Sequence, residues 1–465
     1  PPPPPPPPTN TAPDNPVVYL ATQDNVNVAN LYMADADNPG TTVQLNPALP
    51  AGASISVFAA SPDESQVVYI ADQDTLNKFE IYRVDLDDPG VSTRLNPAST
   101  PANSDVQEFA FSPDSSQLAY TSDQDTVGAR ELYLVDLANP GVPAKLNAPL
   151  VPGGIVGIGS IFSPDGTQLA YAADQDVDGI FEMYLVTVAV PGVSTKLNPD
   201  FAAFTQLKQG FSFSPDGNWL LYSADQDIDE VVELYAVDLA NPGASTKVNP
   251  PFAGNTDMCR GRFSPDSQKI VYCSDEDTDE TLELFLVEIG AFGVSTKLNP
   301  PLVADGDIRS SDYRFSADSG SIFYRADQDV DEHRELFEVS LASPGVATRI
   351  NDTMIALGDV FSFELSPDGL SVAYRADSAV DTEIELFEVA LSAPGMPTRV
   401  HPELVGVATE SFRYSSDGTR IVYVAEQDAA DIDEIYTTDV TALGTSTKLN
   451  APLVAGGQVG DIVIP

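Results

Sequence analysis

The chain has 465 residues, 42% of them hydrophobic, and sets 70 acidic residues against 22 basic ones for a formal net charge of −48. That length and apolar share exclude a disordered acidic tail, and the charge excludes nucleic acid and anionic membranes as partners. No apolar run approaches the ~20 residues of a membrane helix, so direct membrane insertion is not expected.

The first element, residues 1–16, opens with eight prolines followed by TNTAPDNP. It reads as a disordered, proline-rich leader of polyproline II character, a linker to an anchor or preceding domain outside the cytoplasm. From Val17 to Pro465 the chain repeats itself. One copy, residues 211–250, reads FSFSPDGNWLLYSADQDIDEVVELYAVDLANPGASTKVNP. Its SPD-type triplet starts at Ser61, Ser112, Ser163, Ser214, Ser264, Ser316, Ser366 and Ser415, with Ala317 and Ser416 replacing proline in two copies.

Each copy holds four short extended runs. The first ends in FSF, SPDG turns the chain, and WLLYSA is the second. An acidic loop leads to the third, ELYAVDL, and NPG turns into the fourth, STKVN. The runs are rich in tyrosine, valine and leucine and often alternate, and no long helical period appears. Four strands in about 50 residues, repeated along a chain, predict an all-β fold: a single β-propeller of four-stranded antiparallel blades spanning residues 17–465.

The amino-terminal copy begins at VVYLATQD, a second strand, and the terminal VGDIVIP matches a first strand. The carboxyl-terminal strand is therefore expected to complete the amino-terminal blade and remove an open edge. Counting second strands predicts nine blades; the alternative is eight, with the amino-terminal copy packed outside the ring.

FSPDG followed by a YxSDxD-type loop and a Glu-aliphatic-Tyr strand resembles the TolB-type, WD-like propeller repeat of bacteria. The resemblance covers Val17 to Pro465. It implies the propeller fold, and it says less about function, since such propellers include periplasmic scaffolds, sugar-cleaving lyases and the propeller halves of prolyl oligopeptidase-like peptidases. This chain carries no separate α/β or hydrolase domain.

The acidic loop carries carboxylates at its positions 1, 3, 5 and 9. They are Asp174, Asp176, Asp178 and Glu182 in blade four, then Asp225, Asp227, Asp229 and Glu233, then Asp275, Asp277, Asp279 and Glu283, then Asp327, Asp329, Asp331 and Glu335. Blade eight loses position 3 at Ala379 and keeps Asp377, Asp381 and Glu385. Calcium takes 6–8 oxygens, and alternate carboxylates on a curling loop can supply them. The spacing is similar to integrin-type DxDxDGxxD calcium loops, so Ca2+ is a candidate ligand; the competing reading is solvated turn aspartates. In a meander the acidic loops and the blade-to-blade crossings share one face, with the SPDG and NPG turns on the other.

Eight of the 22 cations occupy one fourth-strand position: Arg94, Lys145, Lys196, Lys247, Lys297, Arg349, Arg399 and Lys448. Edge protection is their expected role, with a basic partner-binding ring as the alternative, and they can also pair with neighbouring acids. Cys259 and Cys273 flank one SPD turn. Phe263 opposite Lys269 would bring the thiols to one face for a cross-strand disulfide, whereas Phe263 opposite Ile270 pairs two apolar residues and sends the thiols to opposite faces; the second register is favoured, so free buried thiols are expected. His333 and His401 read as solvated loop residues and Trp219 as core. No HExxH, GxSxG or P-loop motif occurs.

These features lead to a monomeric, non-catalytic binding or scaffold propeller, secreted, periplasmic or tethered to the cell surface. Its acidic face would meet a protein, peptide or glycan. The alternative is a polysaccharide-acting lyase or glycosidase at the channel mouth, with Arg260, Arg262, Arg309, Asp312 and Tyr313, which break the repeat, as candidates.

Overall fold

Nine four-stranded antiparallel sheets follow one another along the chain. The computed structural model describes residues 13, 15–201, 207–251, 258–355, 357–380 and 382–464, so most of the proline-rich leader and Asp381 lie outside the described residues. The first sheet runs Thr42–Gln44, Asn30–Asp35, Pro16–Ala21 and then Val459–Val463. Val18 faces Val463 and Tyr19 faces Ile462, so the chain's last strand is the inner strand of blade 1. Blades 2 to 9 take their second strands from Gln66–Ala71, Gln117–Ser122, Gln168–Ala173, Trp219–Ala224, Lys269–Ser274, Ser321–Ala326, Ser371–Ala376 and Arg420–Ala425. This is the nine-bladed propeller that the repeat predicts.

Apolar side chains on second and third strands fill the space between neighbouring blades. Leu221 and Leu234 of blade 5, for example, share one core cluster with Ile270 and Tyr272 of blade 6. Within each blade a tyrosine of the second strand stands directly opposite an aromatic of the third. Tyr222 and Tyr235 stack at 5.4 Å between ring centroids, and Tyr19–Tyr32, Tyr272–Phe285 and Tyr423–Tyr436 repeat the pair. Such cross-strand pairs fix the register, since a one-residue slip would turn every side chain to the other face.

The SPD turn depends on its serine and aspartate more than on proline. Ser214 donates to Asp216 at 2.5 Å and accepts the Trp219 N–H at 3.0 Å. Ser316 and Ser415 bond Asp318 and Asp417 in the same way, at 2.6 Å each, although proline is missing there. A left-handed residue closes each turn. Where it is serine rather than glycine, as at Ser115, Ser267 and Ser319, its hydroxyl accepts the turn N–H of the preceding blade at 3.0 Å. Trp219 is half-buried and packs edge-on against Phe292.

The inner strands bend through a repeated bulge. In blade 2, Ile55 faces Ala71 but Val57 faces Ile70, a one-residue offset, and blades 3, 8 and 9 show the same shift. In blade 6, Phe263 faces Ile270 as expected, whereas Met258 faces Ser274 on the far side of the offset. The extra residue carries Cys259 to the face of Cys273, and the two form a disulfide with Cα atoms 5.0 Å apart. The expectation of free thiols is thus corrected: the register holds near the turn and changes beyond the bulge.

The disulfide closes a loop with a sequence separation of 14. Replacing both cysteines by serine is expected to lower unfolding free energy by about 3 kcal/mol, as for loops of that length. Denaturant unfolding of the oxidised protein and the double variant checks this; coincident transitions would contradict it.

Candidate functional site: the acidic loop face

In blades 2 to 9 the first loop carboxylate is a clamp on backbone N–H groups. Asp174 is buried, accepts the Ile155 N–H of the incoming crossing on one oxygen, and accepts the Gly179 N–H at 3.0 Å on the other. Asp327 does the same with the N–H groups of Asp307 and Glu332, at 2.5 and 3.3 Å. Asp225 and Asp275 accept from Glu230 and Glu280 at 3.3 and 3.2 Å, and Lys208 pairs with Asp225 at 2.9 Å. Position 6 of the loop has a positive φ, met by glycine at Gly128 and Gly179 and by Asn77, Glu230, Glu280 and Glu332 elsewhere.

Positions 3 and 9 converge on the fourth-strand cation. Lys196 lies 2.6 Å from the buried Glu182 and 3.7 Å from the exposed Asp176. Lys247 joins Glu233 and Asp227 at 2.7 and 2.8 Å, and Lys297 joins Glu283 and, at 3.7 Å, Asp277. Arg349 reaches Glu335 at 3.0 Å, while Asp329 is exposed. The row of cations, expected mainly to protect sheet edges, is therefore tied to the loops at every blade that carries it. Burial pulls the other way, but bonds to Asp200, 2.7 Å away, and Glu182 hold Lys196, and bonds to Asp227 and Glu233 hold Lys247, protonated beyond the ordinary lysine range.

Asp178, Asp229, Asp279 and Asp331, at position 5, are exposed. Among the described residues no three Asp, Glu, His or Cys side chains group to hold a metal ion. The donor set does not fit calcium as arranged here. A hard cation wants several convergent oxygens, whereas position 1 accepts backbone N–H groups and position 9 faces an ammonium or guanidinium.

An asparagine after the fourth strand completes the arrangement. Asn249 accepts the Leu234 N–H at 2.8 Å and donates to the Pro250 carbonyl at 2.8 Å, tying third strand to crossing. Asn46, Asn147, Asn299 and Asn351 are buried in the same role. The repeated Asn-Pro was the available signal in the sequence. Its amide role emerges only from the packing. In blade 8 His401 takes the place of asparagine: Nε2 accepts the Leu386 N–H at 3.0 Å and Nδ1 meets the Pro402 carbonyl at 2.6 Å. His401 is fully buried and not solvated, and burial holds its pKa below the ordinary histidine value. His333 is half-buried in its loop.

A second recurring bond joins the second-strand tyrosine to loop position 2. Tyr171 donates to Gln175 at 2.8 Å and Tyr222 to Gln226 at 2.5 Å; Glu276 replaces glutamine in blade 6. Burial raises the Glu276 pKa, and its bonds to Ser295 and Tyr272 oppose that rise.

A concavity of 740 Å³ lies on the acidic face between the blade 3 loop and the crossing into blade 4. Asp125, Glu131 and Lys145 line one side, and Leu150, Pro152 and Gly154 the other. Farther round the face, burial together with Glu410 and Glu426 pushes the Asp433 carboxyl up to about 6.

The repeat-breaking residues lie on or just before the inner strands of blades 6 and 7 instead, with Tyr313 buried in the core between those blades. Arg260 donates to the Phe211 carbonyl at 3.0 Å, Arg262 sits 5.6 Å from the Tyr313 ring centre, and the Tyr313 hydroxyl donates to the Arg260 carbonyl. Asp312 is drawn off to Arg325. The side chain of Arg309 lies outside the described residues.

No protein-family profile and no curated protein sequence matches the chain. Solved structures do. Dipeptidyl peptidase 4 from Porphyromonas gingivalis aligns with a TM-score of 0.57 at 13% identity, over 83% of this chain and 58% of that one. This chain thus spans little more than half of that peptidase. A putative TolB from Agrobacterium tumefaciens gives 0.33 at 19% identity, over 52% of this chain and 80% of that one. An oligogalacturonate lyase in complex with manganese gives 0.45 at 15%, over 74% and 94%. At these identities the similarity is one of fold: the chain is a β-propeller distantly similar in structure to these proteins.

Two outcomes follow from the loop chemistry. Because folding depresses the His401 pKa, the unfolded chain binds the extra proton first. The contribution of this site is present above about pH 6.5 and is lost as pH falls below it. His401→Asn is expected to fold normally and to flatten the fall in stability below about pH 6.5, read from denaturant titrations at each pH. Melting temperatures in a chelator and in millimolar calcium are expected to coincide; a calcium-dependent rise would mean that the loops rearrange around the cation.

Proposed function

We propose that the protein is a non-catalytic, extracytoplasmic propeller of the TolB type that acts as a monomer and binds a protein, peptide or glycan ligand on its acidic loop face. The observation that carries this reading is the concavity beside the blade 3 loop, a space of ligand size lined by the Lys145 ion cluster with Asp125 and Glu131 and by the apolar Leu150 and Pro152. A segment presenting a cation beside an apolar side chain can share the exposed Asp125 carboxylate with Lys145 and cover the apolar residues. The raised Asp433 pKa supports the preference, since a cation nearby would relieve that crowding. The FSPDG repeat supports the TolB-type assignment, and the disulfide and proline-rich leader support a place outside the reducing cytoplasm.

Cleavage of a polysaccharide is the weaker reading. It would need acid and base groups poised at the channel, but Asp312 is paired with Arg325 and the Tyr313 hydroxyl is spent on a backbone carbonyl.

The test is fluorescence anisotropy with a labelled peptide alternating lysine and leucine, set against a neutral oligosaccharide. Peptide binding is expected to weaken about tenfold on Asp125→Lys, consistent with reversing one charge in a partly enclosed site. Equal affinities for the wild type and the variant would remove this concavity from the account.

A further inference from the structure

The channel carries a second, oppositely charged feature. One inner-strand position recurs in every blade, opposite the third residue of the second strand. It is Val463 in blade 1, then Ala59, Ala110, Ile161, Ser212, Arg262, Arg314, Glu364 and Arg413. The register confirms the equivalence, because each stands opposite the matching second-strand residue: Ala59 opposite Val68, Arg262 opposite Val271, Arg314 opposite Phe323, Arg413 opposite Val422. Four of the nine are alanine, isoleucine or valine, so the fold at this position does not call for a cation. Three arginines nevertheless occupy it on one arc of the ring, and Arg260 adds a fourth from the strand of Arg262.

Arg260, Arg262 and Arg314 line a single cavity of 340 Å³, together with Phe213, Phe263 and Phe315. Glu364 is the acid on this arc, and Arg413 lies 3.8 Å from it. Burial, with Arg262 next to it, holds the Arg314 pKa below its ordinary value. Like charges gathered in a partly enclosed space repel one another, and an anion between them relieves this. In a chain of net charge −48, such a group of arginines is not part of a general surface tendency.

We propose that this channel cavity is a binding site for a small carboxylate-bearing molecule, its carboxylate received by Arg260, Arg262 and Arg314 and its C–H face laid against Phe213, Phe263 and Phe315. Guanidinium forks match the planar carboxylate, and the aromatic walls favour a ligand with an apolar face over a bare inorganic ion. A cavity of this volume takes a molecule of about monosaccharide size. The source can be a free organic acid or the uronate end of an acidic sugar chain; the chemistry recognised is the same. The site is independent of the acidic loop face and of the reading proposed for it.

Isothermal titration of the full chain with citrate and with galacturonate, and with glucose as the neutral control, tests the assignment. At least one of the two acids is expected to bind, glucose is not, and whichever acid binds identifies the source. Arg262→Gln/Arg314→Gln should weaken binding at least tenfold, whereas Asp125→Lys should leave it unchanged. Ser212→Glu is a second variant that keeps every arginine, adds a carboxylate at the equivalent ring position and should compete with the ligand. Absence of binding by both acids, equal binding by sulfate, or unaltered affinity in Ser212→Glu would overturn the proposal.

Discussion

The pairing of Val459–Val463 with Pro16–Ala21 is the constraint on which the rest depends. A circular stack of sheets without it would leave the Pro16–Ala21 strand with an unpaired inner edge, a row of backbone donors and acceptors open to another chain. With it, Val17 and Tyr19 share a core cluster with Val422 and Val424 of blade 9 as well as Val459 and Ile462. Each interface between blades is then supported from both sides, and the loops of the acidic face are held at fixed intervals around one mouth.

Within that frame the excess of acid is organised more closely than its amount suggests. The loops of blades 2 to 9 each spend one carboxylate on backbone N–H groups and, in blades 2 to 6 and blade 9, two more on the fourth-strand cation of the same blade. The buried partner of each pair could not stay charged in an apolar setting without that cation. What remains exposed, Asp178 and its equivalents, gives the face its negative field. The protein therefore presents acid outward from a base of neutralised ion clusters. The opposite sign appears in the channel, where the arginine arc is confined to blades 6, 7 and 9.

His401 shows how little the chemical name of a residue says about its task. A histidine in an acidic chain invites a catalytic or metal-binding reading. Its two ring nitrogens instead make the same two bonds as the oxygen and nitrogen of the asparagine amide in the other blades. Tyr374 shows the converse, since Ser378 stands where the other blades have glutamine or, in blade 6, glutamate, and among the described residues no side chain takes up the bond that those residues accept from the tyrosine hydroxyl.

Blade number, strand order, turn chemistry and the sharing of blade 1 between the chain ends were all legible in the sequence. They rest on local patterns, alternation and turn residues, repeated often enough that one degenerate copy does not obscure them. The destinations of charged and sulfur-bearing side chains were not legible. Cys259 meets Cys273 because a bulge shifts the inner strand by one residue, and no composition rule announces where a bulge falls. The loop carboxylates meet Lys196 and its equivalents, and not one another, because the fourth strand returns beside the loop once the blade has folded. Those outcomes depend on offsets between strands and between neighbouring blades, distances that exist only when the ring is assembled.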